Sequence, residues 1–227
     1  YLLFYYTNFE DLPLLNGVEK CFVDKIVQNI VLKKCSPRSV IFNEGVQNEN
    51  NAYILKSGIV VISKTDRYGI EASLDIKYPG QIFGWASFID KGPRNGRATS
   101  ILDCEYWSLS PPIISKILAN KTFCINLMAQ LTGYIRSNED FITNTYRNKS
   151  IEKVLSILIR IGIFKHENNQ IQIHSKISQT IIATFCRVSR ETVSRVITQL
   201  KKQSIVKLDD KKNLIVDLTK ANYLLNR

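Results

Sequence analysis

From Ser39 to about Ser110 the chain alternates short apolar, β-rich runs with glycine-bearing breaks: "SVIFNEG", "NAYILKSG", "IVVISKTDRYG", "IEASLDIKYPG", "QIFGWASF" and "EYWSLS". Strands of this length, punctuated at this spacing, predict an antiparallel sandwich or barrel. Gly45, Gly58, Gly69, Gly80 and Gly84 fall at the breaks, where a turn needs positive φ. Ahead of this block, "DLPLLNGVEKCFVDKIVQNI" reads as a helical lead-in, and behind it "PPIISKILANK" opens on prolines suited to a first helical turn.

The period then changes. Cys124, Met128, Leu131, Ile135, Asn138, Ile142 and Thr145 recur at spacings of four and three, with Leu127, Tyr134 and Phe141 widening the stripe. A helix of about 25 residues would be about 37 Å long, more than a small sandwich can cover, so the seam predicts a two-chain coiled coil over 121–147. Asn138 at a core position would fix register and dimeric state. The plainer alternative is one amphipathic helix packed on its own domain. A second helix, "IEKVLSILIRIGIF", and a short alternating strand, "IQIHSK", follow. The remainder predicts two helices, "SQTIIATFC" and "SRETVSRVITQLKKQ", and a hairpin, "IVKLDDKKNLIVDL", with "DDKKN" at its tip. Three regions result: a β-rich domain with flanking helices at 1–120, the long helix at 121–147, and a C-terminal domain at 148–227, with the boundary near Asn148.

Charge sharpens this division. Residues 148–227 carry 15 Lys+Arg against 6 Asp+Glu, while the first 147 carry 16 against 14. A basic surplus confined to the last third is the footprint of a polyanion-binding module, because each cation that neutralises a phosphate releases counterions. Five cysteines, none closer than 14 positions to the next, give neither a metal clip nor a disulfide framework, and read as reduced, mostly buried small hydrophobes. His166 and His174 are too few for a histidine-based site. No Ser/His/Asp arrangement, metal spacing or phosphate-binding glycine loop points to an enzyme. The apolar start "YLLFYY" lacks the features of a signal peptide or membrane span, and the chain is expected to stay in the compartment that makes it. It opens on Tyr1 rather than methionine, which leaves room for native residues ahead of it.

The chemistry concentrates at the start of the last long helix. Two helices joined by a three- or four-residue turn, the second led by a serine cap and carrying Arg-Glu-x-x-x-Arg, form a helix-turn-helix pattern. Arg190, Glu191 and Arg195 project from one end of one face. Arginine suits the O6 and N7 acceptors of guanine, and glutamate accepts from the N4 amine of cytosine. Val193, Val196, Ile197 and Leu200 supply the buried face. Ser178 and Ser189 cap the two helices and, with Thr180 and Thr192, are placed to meet phosphates. The competing reading of Glu191 and Arg195 is a surface ion pair, about 0.3–0.5 kcal/mol. The competing reading of the whole domain is a basic surface that docks an acidic protein partner.

The stretch "SQTIIATFCRVSRETVSRVITQLKKQSIV" resembles the helix-turn-helix of the CRP/FNR superfamily of bacterial transcription regulators, with "SRETVSR" close to its most specific string. The resemblance extends over nearly the whole chain. It implies an α+β fold: an N-terminal antiparallel β-roll like that of cyclic-nucleotide-binding proteins, a long dimerisation helix, and a C-terminal winged helix-turn-helix. It further implies a homodimer on double-stranded DNA, contacts with RNA polymerase, and a TGTGA-like half-site under Arg190, Glu191 and Arg195. Arg187 stands where many members have glycine in the turn, so the turn is expected to lack the usual positive-φ residue or to be reshaped.

In cyclic-nucleotide-binding members, a glycine followed by glutamate, and later an Arg-Ser pair, hold the ribose and cyclic phosphate. Here "FGWASFIDKGPRNGRATS" keeps Gly84, replaces the glutamate with Trp85 and offers Arg94-Asn95, with Arg97 nearby. An indole only donates and cannot accept from a ribose hydroxyl, which disfavours cyclic AMP. The basic loop suits a small carboxylate or phosphate. The chain also resembles the NtcA-like, nitrogen-control branch, which senses 2-oxoglutarate and includes plastid-encoded relatives. By that resemblance Gly84, Trp85, Arg94, Asn95, Tyr134 and Glu139 are candidate effector residues, although a helix arginine of that site aligns with Tyr134. The resemblance places the chain in a bacterial cytoplasm or plastid stroma. A protein without an effector, in which Arg94 and Arg97 are plain surface charges, is the alternative.

Overall fold

A computed structural model describes residues 8–47, 50–145, 149–165 and 169–225, apart from the side chains of 137, 140–145, 164 and 165. The chain divides into two compact units, residues 1–133 and 134–227. The division falls within the long helix, ahead of the boundary expected near Asn148, which lies outside the described residues. One reason is visible: Asn138 of the long helix accepts a hydrogen bond from Arg160 Nη2, so this part of the helix is tied to the second unit.

The first unit is built on eight strands: β1 (Val31–Cys35), β2 (Val40–Phe42), β3 (Ala52–Ser57), β4 (Val60–Thr65), β5 (Glu71–Lys77), β6 (Ile82–Phe83), β7 (Arg97–Ser100) and β8 (Cys104–Leu109). They form two four-stranded antiparallel sheets, in the orders β1-β8-β3-β6 and β2-β7-β4-β5. The five glycines read as turn formers all have positive φ, between 69° and 92°. At Gly58 nothing larger fits as well: a Cβ would lie 2.5 Å from Cys104 Sγ and 2.6 Å from the Asp103 carbonyl. Two cores result. Phe42, Tyr53, Leu55, Phe83 and Tyr106 fill one end of the roll, and three of its rings stack or tilt with centroids 5.3–6.2 Å apart. The other core gathers Leu12, Leu14, Ile54, Trp107 and Leu109 with residues of α1 (Lys20–Val27), α3 (Pro111–Leu118) and α4 (Lys121–Thr145).

The strand β1 was not anticipated. Val31, Leu32, Lys33 and Lys34 are all exposed, so the edge strand lacks the alternation that betrays a half-buried one. The short helix α2 (Ala86–Asp90) likewise lay hidden within a run read as β-rich.

On α4 a face that packs on the helix's own domain can be told from a face that stays exposed. Phe123 and Leu127 are buried in the first unit and Leu131 packs against the same core, while Met128 is 57% exposed and Ile135 55%. One face therefore serves the helix's own domain, and the seam positions Met128 and Ile135 stay outside it. Phe141, Ile142 and Thr145 have side chains outside the described set.

The second unit comprises α5 (Ser150–Ile161), β9 (Ile163–Lys165), β10 (Gln170–Ile173), α6 (Gln179–Cys186), α7 (Arg190–Lys202), β11 (Val206–Leu208), β12 (Leu214–Asp217) and α8 (Leu218–Leu225). Its sheet runs β11-β12-β10-β9, all antiparallel. The tail of "IEKVLSILIRIGIF" was expected to be helical; instead the helix stops at Ile161 and β9 follows. Gly162 sits at the joint, where a Cβ would come within 2.0 Å of Ile171 Cγ2. Strand β10 can pack that close to the helix end only because no side chain intervenes.

Candidate nucleic-acid interface and effector cassette

Helix α6 begins at Ser178, whose Oγ accepts from Ile181 N at 3.3 Å, and α7 begins at Ser189, whose Oγ accepts from Thr192 N at 3.1 Å. Each cap satisfies a backbone donor that would otherwise face water without a helical partner. Between them the chain turns at Arg187 (φ 52°, ψ 46°), in the left-handed region. The expected loss of the positive-φ residue is thus corrected: the turn keeps that conformation and places an arginine in it. The Val188 amide closes it on the Ala183 carbonyl at 3.3 Å.

Val193, Val196, Ile197 and Leu200 bury the inner face of α7. Its outer face is open. Gln179 of α6 joins Arg190, Glu191, Ser194, Arg195 and Thr198 along one shallow surface groove. Among the described residues no ion pair joins Glu191 to Arg195. Glu191 has its carboxyl held below the usual range by its own backbone N–H, by Ser189 and by the charge of Arg190. It is therefore an anionic acceptor flanked by two exposed cations. Thr180 is exposed beside the Ser178 cap, and the Ser189 and Thr192 hydroxyls lie 3.1 Å apart. Ser194 and Thr198, four and eight positions after Arg190, share the groove and were missed; helical periodicity applied outward from Arg190 would have found them.

The hairpin β11–β12 has a tightly built tip. Asp209 accepts from the Lys211 and Asn213 amides, from Asn213 Nδ2 and from Gln172 Nε2, at 2.8–3.0 Å. Burial pushes its carboxyl up, but these donors outweigh it and the net shift is downward. Lys211 and Lys212 stand exposed at the tip.

In the first unit, the cassette segment runs from β6 through α2 to β7. Gly84 (φ +69°) has no room for a side chain: a Cβ would lie 2.9 Å from Arg94 Nη1 and 3.1 Å from both Phe42 and Tyr53. Trp85 precedes α2 and packs on the core of the unit. Arg94 is 2% exposed, so it is not a surface charge. Its guanidinium donates to the Gly84 carbonyl, to Ser87 Oγ at 2.9 Å and to the Asn51 carbonyl at 2.7 Å, and lies over the Phe42 ring at 4.5 Å. Asn95, by contrast, accepts from Lys64 Nζ at 2.8 Å in an exposed pair, and Arg97 is exposed. Gly84 and Arg94 are thus brought together and Asn95 faces elsewhere. Tyr134 and Glu139 belong to the second unit, both exposed on α4.

A glycine-punctuated β-roll followed by a capped helix-turn-helix and a β-hairpin wing defines a β-roll-plus-winged-helix regulator. Comparison with known proteins agrees: residues 32–121 match the cyclic nucleotide-binding domain, and residues 152–220 match the Crp-like helix-turn-helix domain. The chain is a member of the CRP/FNR family of DNA-binding transcription regulators. It is 24% identical over 209 residues to the CRP-like cAMP-activated global transcriptional regulator of Mycobacterium tuberculosis, covering 90% of this chain and 92% of that one. It is 27% identical over 200 residues to the cyclic AMP receptor protein of Thermus thermophilus, covering 86% and 88%. Among solved structures, FixK2 from Bradyrhizobium japonicum shares the fold, with a TM-score of 0.71 at 20% identity over 86% of this chain and 96% of that one. Among the described residues, no helix is long and apolar enough to cross a membrane.

Proposed function

We propose that the protein acts as a homodimer that reads a palindromic TGTGA-like or GTA-type DNA site through the helix at 189–202. The observation that carries this is the outer face of α7, where Arg190, Glu191 and Arg195 are exposed and not tied to one another while the opposite face is buried. Arg190 and Arg195 suit guanine edges and Glu191 a cytosine amine; Ser178, Thr180, Ser189 and Thr192 hold the adjoining phosphates. The exposed Met128 and Ile135 on the 121–147 helix form the seam for the second copy, and RNA polymerase is the partner on which regulation acts. Two half-sites should lie about one helical turn, roughly 34 Å, apart.

For the effector, a small anion such as 2-oxoglutarate suits the basic cassette better than cyclic AMP does, because Trp85 offers no acceptor for a ribose hydroxyl. An anion that engages Arg94 would compete with the contacts its guanidinium makes to Ser87 and Asn51. Titration calorimetry with 2-oxoglutarate and with cyclic AMP, each with and without DNA, tests this. A tighter 2-oxoglutarate affinity in the presence of DNA is expected; equal affinities would exclude coupling. The interface itself is tested by Glu191→Ala, which should relax base preference at one position and leave the fold intact.

A further inference from the structure

Cys35 and Cys104 are 69 positions apart in sequence, and nothing in their spacing relates them. In the fold they are direct partners across β1 and β8, at the end of a ladder that runs from Val31↔Ser108 to Cys35↔Cys104. The register is held next door, where Lys34 and Glu105, also partners, form an ion pair at 2.5 Å that Lys56 shares at 3.0 Å. Directly opposed residues in an antiparallel ladder have Cα atoms about 4.5–5.5 Å apart, inside the range a disulfide spans.

The surroundings give the pair unequal roles. Cys104 is buried, with its Sγ against the Leu102 carbonyl at 3.2 Å and the Ile59 carbonyl at 3.4 Å. Burial pushes its thiol up to about 12, so it stays protonated and does not begin an exchange. Cys35 is partly exposed at the end of an edge strand. Cys35 and Cys104 both line one open cleft, together with Lys34, Ser36, Ser57 and Asp103.

We propose that Cys35 and Cys104 form a reversible dithiol–disulfide couple in the β-roll, oxidised by small-molecule disulfides. Cys35, as thiolate, attacks the oxidant RSSR and expels one thiolate, leaving Cys35 in a mixed disulfide. Cys104 then loses its proton to the expelled thiolate and attacks the Cys35 sulfur, releasing the second thiolate. Two cysteine thiols are oxidised, and RSSR is reduced to two thiols.

The test equilibrates the full chain in glutathione buffers of rising oxidised fraction, traps free thiols by alkylation, and maps cysteine states by peptide mass spectrometry. A Cys35–Cys104 linked peptide should accumulate and vanish on adding dithiothreitol, while the buried Cys186 remains alkylatable after unfolding and Cys21 and Cys124 are found only as thiols or single-glutathione adducts. Cys104→Ser should stop the reaction at a Cys35–glutathione adduct, and Cys35→Ser should leave Cys104 a thiol. Persistence of both wild-type thiols in fully oxidised buffer, a stable Cys35–glutathione adduct in wild type, or linkage to a different cysteine would each overturn the proposal.

Discussion

At the scale of single residues, two positions carry backbone demands that decide how the recognition element is presented. Arg187 holds a left-handed conformation that costs a non-glycine residue about 1–2 kcal/mol. Arg187→Gly should therefore stabilise the second unit by about 1 kcal/mol, visible as a higher denaturant midpoint with an unchanged slope. Gly162 makes the opposite case, since its missing Cβ is the space that Ile171 occupies. Gly162→Ala should cost about 1–3 kcal/mol, read by the same unfolding experiment. His174 adds a dependence on pH. Burial and then Lys176 lower its pKa, only partly offset by Asp209, and its Nδ1 accepts from the Lys176 amide at 3.1 Å. The unfolded chain then binds the proton more readily, so stability is complete above the ordinary histidine value near 6.5 and declines as pH falls below it. The second unit should melt at a lower temperature at pH 5.5 than at pH 7.5, and His174→Gln should remove most of that difference.

At the scale of elements, what could be read in advance depended on whether a residue's neighbours lie along the chain or across it. The two helices of the recognition element, their serine caps and the buried stripe of α7 follow from local spacing, as do the turn glycines. The largely exposed strand β1, the strand β9 and the terminal helix α8 did not, since β1 owes its form to β8 far along the chain, β9 to its pairing with β10, and α8 to its packing on α5. Strand β9 begins where Gly162 permits close packing, a fact held by Ile171 and not by "IRIGIF" itself. The cassette shows the same limit: sequence placed a cation at Arg94, but only the fold shows that Asn51, Ser87 and the Phe42 ring enclose it. Cysteine spacing likewise gave no hint that Cys35 faces Cys104, and the expectation of mostly buried thiols needs correcting, for Cys21 is exposed and Cys35 and Cys124 are only partly covered. The long helix was legible in extent but not in its division of labour. If Met128 and Ile135 form the seam of a dimer, Ile135→Ala should weaken self-association roughly 10- to 100-fold, the worth of about 1.5–3 kcal/mol of apolar burial. Sedimentation across a concentration series measures it.

At the scale of the whole molecule, the basic surplus of residues 148–227 and the ordered face of α7 have separable consequences. Lys201 and Lys202 are exposed at the end of the helix, and the proposed reading assigns them to the DNA backbone. Replacing either with alanine should weaken binding across all sequences and reduce the slope of log affinity against log salt by about 1. Base choice should survive that change, because the proposed reading assigns it to Arg190, Glu191 and Arg195. The most direct measurement of the central claim is selection from a randomised DNA pool, run in parallel for the wild type and Glu191→Ala, with and without 2-oxoglutarate. The account predicts a two-half-site palindrome for the wild type, and for the variant the same palindrome with one base pair per half-site relaxed, a loss of about 1–3 kcal/mol of discrimination there. A wild type that selects no consensus under either condition, or a variant that selects the unaltered one, would contradict it.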